Sequence, residues 1–211
     1  DICNLSGIKI AGIIDSDYYG NTDQYQGIPV IDTQESFNST DKLDYYRDNY
    51  NFFCAVNWGP EQTEVFKRNR DKRHQLLDLI DQHKLECISL VDPLSRIASD
   101  AIIGRGVFID AMCLIESEAD IHDYVSIYAF CGIGHHTTIM RNCVFQRHCS
   151  ISGNCTFEPN TYLGTAVKAL KTGAVFGAGT FIHEAVYIRR GTVPNEIVGM
   201  NGKNMSRVKV I

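Results

Sequence analysis

The chain has no run of 18 apolar residues, so no segment of it reads as a membrane-spanning helix, and no leader peptide is visible at its start. It has no basic surplus either. Its 20 Lys and Arg stand against 25 Asp and Glu, giving a net charge of −5 and a pI near 5.8. That balance offers no electrostatic footprint for nucleic acid or an anionic membrane. Eight cysteines are present but no C-x-x-C pair, the spacing that would point to a structural zinc or a redox dithiol.

What the chain does have is a six-residue beat. From Ile97 the steps fall on Ile103, Ile109, Ile115, Ile121, Ile127, Ile133, Ile139, Phe145, Ile151, Phe157 and Leu163. One extra residue then slips the frame, and the beat resumes at Leu170, Phe176, Ile182 and Ile188. Four residues after each stands a small side chain, from Ala101, Val107 and Cys113 through Thr137 and Cys155 to Val186 and Thr192. A period of six matches neither a helix nor an alternating strand. It is the period of a parallel β-helix of hexapeptides, in which three short strands complete a coil of 18 residues. Coils stack at about 4.8 Å, and stability accrues coil by coil. The segment after Ile188, from Val193 to Lys203, is expected to leave the prism as a tail.

The register also accounts for the cysteines. Cys113, Cys131 and Cys149 are spaced by 18, so they stack on one face, and Cys143 and Cys155 fill the same small column on the other two. They read as small buried hydrophobes rather than as a disulfide framework. Buried free thiols imply a reducing, cytoplasmic compartment.

Residues 1–91 read as a separate small α/β domain and residues 92–211 as the β-helix with its tail. In the first part, Gly7–Asp15, Gly27–Ile31, Asn51–Asn57 and Cys87–Val91 are apolar strands, and a helix runs from Gly59 to about Lys84. Strands alternating with helices point to a small parallel sheet, a Rossmann-like arrangement. The strand and glycine-rich turn that open a nucleotide-binding domain of this kind do not precede Asp15-Ser16-Asp17. That is read either as a segment missing before the chain or as an abbreviated domain. The basic cluster Lys67, Arg68, Arg70, Lys72 and Arg73 could attract phosphates, but such a cluster is more often only the solvated face of a helix, and it is read so.

Chemistry is sought where reactive side chains interrupt the repeat. His135 falls at a corner, facing outward, where it adds nothing to the core, and Gly153 stands one coil further on. A histidine beside a side-chain-free amide is a base and an oxyanion donor for acyl transfer. Glycine allows a thioester carbonyl to approach the N–H closely. His136 either tunes its neighbour or faces solvent. A zinc site of the kind that β-helix trimers build from histidines is disfavoured, because adjacent His135 and His136 point to different sides.

With these residues in place, the chain resembles the left-handed β-helix acyltransferases, in the two-domain branch that acetylates nucleotide-linked amino sugars and is close to the sialic acid O-acetyltransferases. The resemblance is carried by GIIDSD, the Q-G-I-P-V-I segment, SLVDP, His135, the S-G-N one coil later and the V-P-x-x-x-V-G-M-N ending. It implies a homotrimer, acetyl-CoA as co-substrate without any metal, and direct transfer to a sugar amine. His135 would be the general base and Gly153 the oxyanion donor. Gly164, Thr165, Ala166, Gly177 and Gly179 would line the coenzyme; from their charge, and not from the resemblance, Arg189, Arg190 or Lys203 would meet its phosphates. Asp15, Asp17, Asn57, Gly59 and His136 would meet the nucleotide-linked sugar. Relatives often carry an acidic residue directly after the base, where this chain has His136. Sugar O-acetylation and a non-catalytic trimeric scaffold are the competing expectations.

Overall fold

The computed structural model describes Cys3, residues 7–57 and residues 64–199, with the side chains of residues 64–67 left aside. Three strands come first. β1 (Ile13–Ile14) pairs in parallel with β3 (Ile28–Asp32), and β2 (Gln24–Tyr25) pairs antiparallel with β3. This small sheet is therefore mixed, not all parallel as expected. A 3₁₀ turn at Gln34–Asn38 leads to helix α1 (Thr40–Asn49), and helix α2 spans Glu64–Gln82.

The six-residue beat becomes a three-sided parallel β-helix. Its first face starts with β4 (Leu90–Val91), its second with β5 (Arg96–Ile97) and its third with β6 (Ile102–Ile103). They hold seven, six and five strands, and β21 (Ile197–Val198) closes the first. Each strand is only two residues long, too short to persist alone. It is held by ladder bonds to the coils before and after: Gly132 N–H donates to Cys149 O at 2.9 Å and Gly134 N–H to Ile151 O at 3.0 Å. Register is 18 residues, with Ile133 opposite both Ile115 and Ile151. The large column points into the prism, where Ile109, Ile121, Ile139, Phe145 and Phe157 are fully buried. Phe157 and Phe176 stack there with ring centroids 4.4 Å apart.

The small column is also inward, and its composition has a chemical reason. The Cys131 thiol donates to Gln146 O at 3.1 Å, Cys143 to Glu158 O at 3.2 Å and Cys149 to Gly164 O at 3.3 Å. The Thr137 hydroxyl reaches Ser152 O at 3.3 Å in the same way. A small side chain with one weak donor satisfies a corner carbonyl of the next coil. All eight cysteines are free thiols.

The corners carry a regularity that apolar periodicity does not reveal. Met112, Glu118, Tyr124, Phe130, His136, Asn142, His148, Asn154, Asn160 and Ala166 all have φ between 54° and 63°. Each coil turns on a left-handed residue, which excludes β-branched side chains and favours Asn. The sequence signal was there to read: none of these ten is Val, Ile or Thr.

Three expectations are corrected. The frame slip comes later than expected, because Ala169 fills the inward position, pairs with Ile151 and Ile188 and is fully buried, whereas Leu170 is exposed. An inward alanine does not stand out in a column of large residues, and the extra residue sits in the corner between Ala169 and Ala174. The supposed tail stays on the prism as far as Val198, since Thr192 bridges to Phe176 and β21 pairs with Phe181–Ile182. The strands expected at Gly7–Asp15, Asn51–Asn57 and Cys87–Val91 shrink to β1, a single Phe52–Cys87 bridge and β4. Apolar sequence alone does not make a strand where no second edge is available to pair with it.

One member of the basic cluster of α2 is not on a solvated face: Arg68 is exposed as expected, but Arg73 is buried. Arg73 takes a core position in line with Leu77 and Ile80, and is 3% exposed. Its guanidinium donates to Val56 O, Cys54 O, Tyr124 O and Asn142 Oδ1 at 2.7–3.3 Å. Nearby, Asp81 pairs with Arg105 and Arg141 and accepts from the Tyr124 hydroxyl at 2.8 Å. The N-terminal part is thus clasped to the prism edge that carries Tyr124 and Asn142.

Candidate active site

The prism has three edges, and the register assigns each residue to one of them. His135 sits between β11 (Gly132–Ile133) and β12 (Thr138–Ile139), on the edge joining the second face to the third. Gly153 occupies the same place one coil further, and the Asn154 N–H donates to His135 O at 2.8 Å. The imidazole lies across the glycine. A Cβ added to Gly153 would stand 2.6 Å from His135 Nε2 and 2.7 Å from Cε1, closer than any side chain can sit. The expected juxtaposition of imidazole and bare backbone is therefore present. The peptide unit that carries the Gly153 amide is held by the Thr137 hydroxyl on its Ser152 carbonyl at 3.3 Å. The His135 backbone N–H is anchored on Glu116 Oε2 at 2.9 Å.

His136 follows at the left-handed corner, φ 54°. Its Nδ1 is 3.0 Å from His135 Nδ1, and its Nε2 is 3.1 Å from Glu118 Oε2. Glu118 is exactly one coil earlier in register, a partner that the spacing of 18 could have disclosed.

Of the other expected residues, Arg189 and Arg190 share this edge three coils further, between β20 (Tyr187–Ile188) of the second face and Thr192, which bridges to the third. The glycine corners and the N-terminal residues are not gathered here in the same chain. Gly164, Thr165 and Ala166 lie on the edge between the first and second faces, together with exposed Leu94, Met112 and Phe130. Gly177 and Gly179 lie on the edge between the third and first faces, where the N-terminal part docks. A Cβ at Gly177 would meet Pro194 N at 2.4 Å, so this glycine also serves the packing of adjoining coils. Arg189 is exposed, while Arg190 is engaged by Glu196, with Nη1 3.1 Å from Oε2. Gly59 and Lys203 lie outside the described residues.

Asp15 and Asp17 are in the N-terminal part, both held by Lys72, whose Nζ is 3.1 Å from Asp15 Oδ2 and 2.7 Å from Asp17 Oδ2. The Lys72 hydrogen bond and charge hold the Asp17 carboxyl below its usual range. An open cleft of about 780 Å³ lies here, lined by Ser16, Asp17, Gln34, Glu35, Arg68 and Lys72 among others. His135 and Gly153 do not line it. Asn57 is half-buried next to the residues that Arg73 holds. Among the described residues no helix is long and apolar enough to cross a membrane, and no group of three His, Cys, Asp or Glu is placed to hold a metal ion.

No protein-family model matches the chain, and no curated protein matches it in sequence. Solved structures do match in fold. The acetyltransferase domain of PglB from Neisseria gonorrhoeae, in complex with acetyl coenzyme A, superposes with a TM-score of 0.77 at 17% identity, over 97% of this chain and 92% of that one. A histidine-to-asparagine variant of perosamine N-acetyltransferase from Caulobacter crescentus, in complex with CoA and GDP-perosamine, gives 0.78 at 17% identity, over 97% and 89%. WeeI from Acinetobacter baumannii gives 0.76 at 16% identity, over 96% and 90%. At this level of identity the likeness is one of fold, and the chain has the left-handed β-helix architecture of these proteins with an N-terminal part before it.

Proposed function

We propose that the protein is an acetyl-CoA-dependent acetyltransferase acting on the amine of a nucleotide-linked sugar. The observation that carries this reading is the His135 imidazole lying against the bare Gly153 backbone on an outer edge of the coil. The fold likeness supports it, since the PglB acetyltransferase domain was solved with acetyl coenzyme A and the perosamine enzyme with CoA and a GDP-linked sugar.

In this mechanism His135 Nε2 takes a proton from the sugar amine as the nitrogen attacks the thioester carbonyl. The C–N bond forms, the Gly153 N–H donates to the oxygen as it becomes negative, and the C–S bond then breaks. The imidazolium returns its proton to the departing thiolate. Transfer is direct, with no acyl-enzyme, and no metal is needed for any step. Asp15 and Asp17 belong to the sugar-nucleotide side, the Gly164–Ala166 and Gly177–Gly179 corners and Arg189 to the coenzyme side. Because His135, the Gly164–Ala166 corner and the Gly177–Gly179 corner occupy three different edges of one prism, the reading also requires neighbouring subunits to bring unlike edges together, as a homotrimer does. A cytoplasmic location fits the free thiols.

The test is His135→Ala, followed by CoA release with acetyl-CoA and a panel of UDP-, GDP- and dTDP-linked amino sugars. Loss of a general base predicts a fall of at least about a hundredfold in turnover with the fold intact. Turnover near that of the parent protein removes the mechanism. A parent protein that releases no CoA with any amino sugar favours the non-catalytic scaffold, and release only with hydroxyl acceptors favours O-acetylation.

A further inference from the structure

The pair of histidines contains more chemical information than the position of either ring. Two Nδ1 atoms 3.0 Å apart share one proton, so one ring donates and the other accepts. On the far side of His136, Nε2 faces the Glu118 carboxylate at 3.1 Å, and a carboxylate only accepts. A neutral His136 therefore carries its proton on Nε2 and presents a lone pair at Nδ1. His135 must then donate from Nδ1, which leaves its own Nε2 bare. The opposite arrangement would set an unprotonated Nε2 against the carboxylate, or require His136 to be an imidazolium. Bare Nε2 is the atom that lies against Gly153.

We propose that Glu118, acting through His136, locks His135 in the tautomer whose Nε2 accepts the substrate proton, so that both are positioning residues for the transfer. This rests on the reading of His135 as the base, and it supplies by a two-step relay what a carboxylate next to the base would supply directly. The backbone fixes the arrangement. Glu118 and His136 are consecutive members of one corner column, with φ of 56° and 54°. The other carboxylates of this edge are engaged elsewhere: Glu116 accepts the His135 backbone N–H, and Asp100 accepts the Ser117 hydroxyl. Asn154 is the next, uncharged member of the column.

The experiment uses the full chain. Ring-nitrogen NMR spectra, recorded near neutral pH without substrate, report the tautomer of each histidine. The expected result is His135 protonated at Nδ1 and His136 at Nε2, with the His135 preference lost in Glu118→Ala. Alanine is acceptable at such a corner, as Ala166 and Ala185 adopt φ of 62° and 57°. Steady-state kinetics of Glu118→Ala should show kcat reduced at least about tenfold, the consequence of an imidazole no longer held in one tautomer, with KM little changed. His136→Glu in the Glu118→Ala background should restore kcat, because a carboxylate then reaches His135 without the relay. Finding His135 protonated at Nε2 in the parent protein, or an unchanged tautomer and kcat in Glu118→Ala, overturns the proposal. The ring spectra judge the relay without any turnover, so its failure is distinct from the failure of His135→Ala to abolish transfer.

Discussion

Gly153 does not adopt a left-handed φ, so an alanine there would meet no backbone objection; its only serious conflict is with the imidazole. Gly153→Ala is therefore a precise probe of the proposed site. The added methyl must displace the His135 ring and crowd the amide. The expected result is a fall in kcat of about 10²-fold or more, the scale of losing one oxyanion donor, with little change in melting temperature. Unaltered CoA release would show that the bare backbone has no part in the chemistry. Both residues were legible in the sequence, because a period of 18 turns linear spacing into contact. The contact between Glu118 and His136 follows from the same arithmetic, but Glu118 is ordinary as a surface residue, and spacing alone does not say that its carboxylate turns toward the imidazole.

At the scale of elements, helix α2 was legible and its role was not. A cluster of five basic residues looks solvated unless one of them has four acceptors waiting, and two of those acceptors, Tyr124 O and Asn142 Oδ1, come from segments far away in the chain. Arg73 is worth more to the fold than its charge suggests. Arg73→Met leaves three carbonyls and the Asn142 side chain short of a donor, and should lower stability by about 3 kcal/mol in urea unfolding, the scale for stranding buried partners. Lysine should not rescue it, having no planar fork to serve them together. A loss within about 0.5 kcal/mol would place Arg73 among ordinary surface residues. The adjoining cluster has a pH signature. Burial by itself would raise the Asp81 carboxyl, but the Tyr124 hydroxyl and the Arg141 and Arg105 charges outweigh it and hold the group below its usual range. The folded state thus binds that proton less readily than the unfolded chain. The resulting stabilisation is present above about pH 4 and is lost as pH falls further. Asp81→Asn should flatten the dependence of the urea midpoint on pH in that acid range; an unchanged slope would mean the cluster contributes nothing to acid sensitivity. Helix α1 escaped sequence reading because its ten residues bury little more than Tyr46, too weak a stripe to register as periodic.

For the whole molecule, the prism was legible because its core is one-dimensional: a single column of large residues and one of small residues specify every coil. The small N-terminal part was less so, since its strands owe their extent to pairing partners rather than to their own composition. The sealed interior makes a measurable statement. Burial raises the Cys143 thiol to about 12 and the Cys87 thiol to about 11, so neither forms a thiolate near neutral pH. A thiol-reactive probe should label partly exposed Cys3 and Cys54 in the folded protein and reach the six buried cysteines only when the coils open in denaturant. Rapid labelling of Cys113, Cys131 or Cys149 under native conditions would contradict a continuous dry core. The one-residue insertion between Ala169 and Ala174 has a further meaning. The ladder keeps its alignment on both sides while the surplus residue is extruded at the vertex, so a solenoid of this build can change length at its vertices but not along its sides. That vertex is where a foreign peptide or a reporter loop could be spliced into the chain with every rung left in place.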